Sequence, residues 1–106
     1  MPIENYGEKI QYLDDRWVLP ASLTHDNLGM SWEAVRQQMP KSGAWHIDAH
    51  QLHEIDSSTL SFFLECLRTA QQRDLEVKIT QVNAKIKALL QVYGVAHLFE
   101  KIIKDQ

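Results

Sequence analysis

The side chains able to do chemistry crowd into the middle of the chain: His46, Asp48, His50, His53, Glu54, Asp56, Ser57 and Ser58. Two imidazoles and a carboxylate can hold zinc or iron. His50 and His53, three apart, would share one side of a helix. Their spacing fits no strong zinc signature, and the segment reads as a loop of solvated histidines, so no metal is assigned. Ser, His and Asp also raise a hydrolase triad. A nucleophilic serine sits at a tight turn between small neighbours, and neither Ser57 nor Ser58 is flanked by glycine. No oxyanion hole is recognisable. Phosphate-cradling loops need clustered glycines, whereas the four glycines here are dispersed. No catalysis and no cofactor is therefore assigned to the chain.

What remains is a helix start. Asp56, Ser57 and Ser58 offer a carboxylate and hydroxyls to the unpaired N–H groups of a first helical turn. A cap of this kind contributes about 0.5–2 kcal/mol. A serine there is also a well-placed phosphorylation site, because phosphate adds about −1.5 to −2 of charge at the positive end of the helix. Residue chemistry favours the cap.

The helix after this start spans roughly residues 57–72. At about 100° per residue, Leu60, Phe63, Leu64 and Leu67 share one side with Gln71, the expected core face. Ser57, Ser61, Glu65, Arg68 and Gln72 form a polar flank. Phe62 falls opposite the core face, beside Cys66. It is either a partner contact or covered by another helix. Cys66 itself reads as a small hydrophobe.

The remaining elements must position this helix. Lys9–Leu13 and Trp17–Leu19 alternate as two short strands around Asp14-Asp15, an antiparallel hairpin. Leu28, Trp32, Val35 and Met39 form one helical stripe that Pro40 stops. Trp45 and Ile47 mark a strand, residues 49–54 a loop, and Leu75, Val77 and Ile79 another strand. Asn83 caps a helix bearing Ile86, Leu89, Leu90 and Tyr93, which Gly94 ends in the left-handed conformation. Val95, Leu98, Phe99, Ile102 and Ile103 suggest a short last helix. The order predicts an α/β fold: one small mixed sheet of four to five strands, an N-terminal hairpin, and helices packed on it. Residues 1–8 read as a loose N-terminus and 9–103 as one domain. The three tryptophans lie on apolar stripes and read as core.

The chain has 106 residues and a formal net charge of −3. That charge disfavours nucleic acid and anionic membranes as main partners. The lone Cys66 excludes an internal disulfide. No run approaches the ~20 apolar residues of a membrane span, and the N-terminus has no signal-peptide pattern. The expectation is a soluble cytoplasmic protein without direct membrane insertion.

Taken with this element order, Trp45-His46-Ile47-Asp48 followed by Ile55-Asp56-Ser57-Ser58-Thr59-Leu60 resembles the signature of STAS domains, shared by sulphate transporters and anti-sigma-factor antagonists. The likeness runs from about residue 9 to 99. Leu23-Thr24, Trp32-Glu33 and Gln81-Val82-Asn83 make the chain most similar to MlaB-type subunits. That resemblance implies a non-catalytic cytoplasmic accessory subunit, peripheral to the inner membrane through its partner. The partner would be the ATPase of an ABC transporter that moves phospholipids and maintains outer-membrane lipid asymmetry. Asp56 matches the motif Asp, and Ser57 the hydroxyl residue after it. In anti-sigma antagonists that hydroxyl is phosphorylated by a kinase-like anti-sigma factor, the alternative partner. In MlaB-type subunits it lies at the ATPase contact. Together with Phe62 read as lying beside Cys66 on the outer face, the resemblance gives an expected interface of Ser57, Ser58, Thr59, Ser61, Phe62, Glu65 and Cys66. Thr59 departs from the family, where glycine is frequent, and its bulk leaves less room for a kinase.

Overall fold

A computed structural model describes residues 10–13, 16–24 and 37–104. In chain order these form β1 (Gln11–Leu13), β2 (Arg16–Val18), β3 (Ser22–Leu23), β4 (Ala44–Asp48), β5 (Glu54–Ile55), α1 (Ser57–Arg73), β6 (Glu76–Thr80), α2 (Ala84–Val92), a 3-10 turn (Ala96–Phe99) and β7 (Ile103–Lys104). The main sheet has five strands in the order β1-β2-β4-β6-β7. β1 and β2 are antiparallel, and every other neighbouring pair is parallel. The architecture is the expected mixed α/β sheet with an N-terminal hairpin.

Alternation places Trp45 and Ile47 on one face of β4, in register with Val77 and Ile79 of β6. Trp17 of β2 pairs with Ile47, and its ring meets Trp45 edge-on at 5.0 Å. These groups join Phe62 and Phe63 of α1, Ile86 and Leu90 of α2, and Phe99 in one core. All three tryptophans were expected in the core; Trp17 and Trp45 are there, and Trp32 lies outside the described residues. So does most of the helix expected over Leu28–Met39, of which Gln37 and Gln38 are helical and Met39 is buried. Residues 1–8, expected as a loose N-terminus, also lie outside them.

α1 and α2 end where their sequences dictate. Asp74 closes α1 in the left-handed region (φ 56°), its N–H on the Ala70 carbonyl. Asp tolerates that conformation better than most residues. Arg73 donates to the Met39 and Pro40 carbonyls at 3.1 and 3.0 Å, so the last turn of α1 holds the turn before β4. Asn83 accepts from the Ile86 N–H at 2.9 Å as the α2 cap. Gly94, at φ +73°, follows α2 in the left-handed conformation.

Three expectations need correction. The segment after Gly94 is not a helix to Ile103. One 3-10 turn ends at Phe99, and Ile103-Lys104 extends the sheet. Ile79 donates to the Ile102 carbonyl at 2.7 Å, a ladder bond that outweighs four more helical residues at a chain end. The loop at 49–54 ends in β5, which pairs in parallel with β3 as a second, two-stranded sheet.

The largest correction concerns α1. Its buried residues are Thr59, Leu60, Phe62, Phe63, Cys66, Thr69 and Ala70. The core face is therefore rotated by about 100°, one residue's turn, from that expected. Phe62 is 0% exposed and Cys66 1%. Leu64 and Leu67 are only half-buried, and Gln71 is exposed. Two buried threonines lie within the true face, where polarity-based reading places solvent.

A fully enclosed Phe62 makes a sharp prediction. Phe62→Ala should destabilise the fold by about 3–5 kcal/mol through lost burial and a residual cavity. Urea denaturation followed by circular dichroism measures this. A loss below about 1 kcal/mol would instead fit a solvent-facing ring.

Candidate functional site

The end of the sheet where the parallel strands finish carries most of the polar side chains singled out above. Asp48, the last residue of β4, is largely buried. Its Oδ1 accepts from the backbone N–H of His50 at 2.9 Å and lies 2.9 Å from the ring Nδ1. Its Oδ2 lies 3.2 Å from Nε of Arg16 on β2. Burial alone would raise the Asp48 pKa. The His50 backbone and ring bonds, with the nearby charges of His50 and Arg16, outweigh it and hold the carboxyl below its ordinary value of 3.8. Asp48 thus fastens the hairpin and the following loop to the central strand.

The other histidines do not join it. His46 Nε2 lies 2.8 Å from the Thr80 hydroxyl, and His53 Nδ1 is 3.1 Å from the Gln51 carbonyl. Among the described residues no three His, Cys, Asp or Glu side chains converge as metal ligands. The Ser-His-Asp set is likewise dispersed, since the polar partner of His50 is Asp48 and not a serine.

From this loop the chain passes through β5 into α1. Asp56 is the N-cap, its Oδ1 accepting from the Ser58 N–H at 2.8 Å. The Thr59 hydroxyl accepts from the Asp56 N–H at 3.0 Å, completing a reciprocal capping box. The same hydroxyl donates to the Leu23 carbonyl on β3. Thr59 is 0% exposed, so it points inward and adds no bulk to the surface outside. No acidic residue lies in the first turn. Asp56 is therefore the anionic group at the positive end of the α1 dipole.

The seven residues of the expected interface divide by depth. Ser57 and Ser61 are exposed, while Ser58 and Glu65 are half-buried. The Ser61 hydroxyl leans 3.4 Å toward the Ser57 carbonyl. Thr59, Phe62 and Cys66 lie beneath this surface as its support. Burial, reinforced by the Glu65 charge, pushes the Cys66 thiol well above its ordinary range, which suppresses the reactive thiolate.

Sequence reading missed how α2 joins this end. Asn83 donates its amide to the Leu52 carbonyl at 2.9 Å, and Lys85 reaches the His53 carbonyl at 3.1 Å. The α2 cap was legible in Asn83. Its second bond, across 31 positions, left no local signal.

The family model described as "Mlab, STAS domain" matches residues 18–103, most of the chain. The chain belongs to this MlaB-type family of STAS domains. No curated protein and no solved structure matches it. The family supports an accessory or regulatory role of the STAS type. Among the described residues no helix is long and apolar enough to cross a membrane.

Two outcomes test this geometry. The lowered Asp48 pKa contributes stability that is present above the ordinary value of 3.8 and lost as pH falls through the lower folded value. Asp48→Asn should be less stable than the parent at neutral pH, with the difference shrinking below pH 3.8. Chemical denaturation across pH measures it, and a constant difference would remove the electrostatic account. At Cys66, iodoacetamide should label native protein far more slowly than urea-unfolded protein. Comparable rates would contradict its burial.

Proposed function

We propose that the chain is a non-catalytic accessory subunit that binds the ATPase of an ABC transporter for phospholipid trafficking, through the start of α1. The observation that carries this is Ser57 and Ser61 standing exposed on a doubly fixed helix start, in a chain of the MlaB-type STAS family. A docking surface gains from preorganisation, because less side-chain and loop freedom is lost on binding. The capping box and the Leu23 bond supply that rigidity. Ser57, Ser58, Ser61 and Glu65 form the contact, with Phe62, Thr59 and Cys66 packed below. Such a subunit works in the cytoplasm and meets the inner membrane only through its partner.

Co-purification with a cognate ABC ATPase tests the reading. Ser57→Asp and Ser61→Arg leave the core intact and place charge on the contact. Each should weaken binding by roughly tenfold or more, about 1.4 kcal/mol. Parental affinity in both variants would move the interface elsewhere. Phe62→Glu is unsuitable, since it would bury a charge in the core.

One observation favours a second reading, a phospho-switch at Ser57 recognised by a kinase-like anti-sigma factor. Thr59 was expected to obstruct a kinase, yet its side chain is turned inward. Ser57 is exposed at the positive end of α1. Mass spectrometry of the protein from its native cells should then find phosphate at Ser57. Its absence in every growth state leaves the transporter reading alone.

A further inference from the structure

At the opposite end of the sheet, where β4 and β6 begin, an open groove encloses about 630 Å³. That is within the range of small-molecule sites, about 300–1,000 Å³. Two features of the fold create it. The first is the short reach of β7, which pairs only with Ile79 and Thr80 of β6. Glu76, Val77 and Lys78 therefore have no strand on their outer side among the described residues. The Glu76 N–H points to the Gly43 carbonyl and the Ile79 N–H to the Ile102 carbonyl. Alternation along a strand then turns the Val77 N–H and C=O outward, into the gap. The second is the orientation of α1, which leaves Leu67 half-buried and Gln71 exposed beside the groove.

The lining has a definite chemistry. Leu67, Ala70, Leu75, Val77 and Ile102 give an apolar wall. Lys78, Lys101 and Lys104 also line the groove, against a single lining carboxylate, Glu76. This is a cationic concentration on a chain of net charge −3. None of the three ammonium groups is engaged in a salt bridge among the described residues. Lysine stems can cover apolar surface while their heads stay in water. Trp45 also lines the groove, and its enclosed indole Nε1 has no hydrogen-bond partner among the described residues.

We propose that this groove binds an anionic amphiphile, a single apolar chain ending in a carboxylate or a phosphate. The chain packs along Leu67, Leu75 and Ile102, and the head group meets the lysines. An acidic peptide could also meet the lysines. It would have only three residues of open β6 edge to pair with, too few for an added strand to hold by its ladder bonds. The apolar wall and the size of the groove fit a hydrocarbon chain better. This assignment is independent of the docking surface at the α1 start.

Decanoate, decyl phosphate and decanol, each below its aggregation concentration, are titrated into the protein by isothermal calorimetry with tryptophan emission as a second signal. Saturable binding of decanoate or decyl phosphate is expected, roughly tenfold or more tighter than decanol. A carboxylate preference identifies a fatty acid as the ligand source, and a phosphate preference a lipid phosphate. Lys101→Glu/Lys104→Glu should weaken binding by roughly tenfold or more. Lys85→Glu/Lys87→Glu, on α2, should leave it unchanged, with circular dichroism confirming that both variants fold. The proposal is overturned if neither anion saturates, if decanol binds as well, or if both double variants behave alike. It is equally overturned if hexaglutamate binds where the amphiphiles do not.

Discussion

One buried hydroxyl joins the parts of this molecule that matter most. Thr59 accepts from the Asp56 N–H and donates to the Leu23 carbonyl. It thereby closes the cap of α1 and ties that helix to β3, outside the main sheet. Those two bonds satisfy the hydroxyl inside the fold, so position 59 faces the interior without the cost of an unpaired buried group. Once that is fixed, the 3.6-residue repeat fixes the rest. Phe62, Phe63, Cys66 and Ala70 follow it inward, Ser57 and Ser61 turn outward, and Leu67 is displaced to the rim. The exposed serines and the apolar wall of the distant groove are two results of one orientation.

That dependence explains what the amino-acid order revealed and what it hid. The β4 and β6 strands were legible because Trp45, Ile47, Val77 and Ile79 alternate, and alternation survives burial on one face. The helix starts were legible because Asp56 and Asn83 act on N–H groups within three residues. Helix phase was not. Assigning α1 by its leucines treats Thr59 and Thr69 as wet, and each pulls the inferred face away from the true one. Polar side chains that find buried partners far along the chain defeat a reading based on polarity. The Leu23 carbonyl lies 36 positions from Thr59, and nothing near either residue announces the bond.

Short strands were hidden for a different reason. β3, β5 and β7 have two residues each, too few to show any period. Ile102 and Ile103 even match a helical stripe begun by Val95 and Leu98. The strand at Ile103-Lys104 exists because β6 offers an edge there, a property of the assembled sheet. The candidate site fared unevenly. Asp56 and Ser57 were found by capping chemistry and sharpened by the STAS resemblance, which the family match bears out. Phe62 and Cys66 were placed on that surface because the phase of α1 was misjudged, and both lie beneath it.

The sheet also separates two kinds of surface. Where its parallel strands finish, Asp48 and Asn83 spend their hydrogen bonds on neighbouring loops and strands, so this end is stiff. Where the strands begin, Lys78, Lys101 and Lys104 make no salt bridge and the Val77 edge carries no strand among the described residues. Rigid, satisfied surfaces favour recognition of a shaped partner. Surfaces with unused donors beside apolar walls favour a ligand that brings acceptors and hydrocarbon together. A protein docked on Ser57 and Ser61 would leave the groove uncovered at the other end of α1. Its occupant could then influence that docking only by shifting α1, the element both surfaces share. Thr59 opposes such a shift, because any rotation of the helix breaks the Leu23 bond. The two surfaces are therefore expected to bind independently.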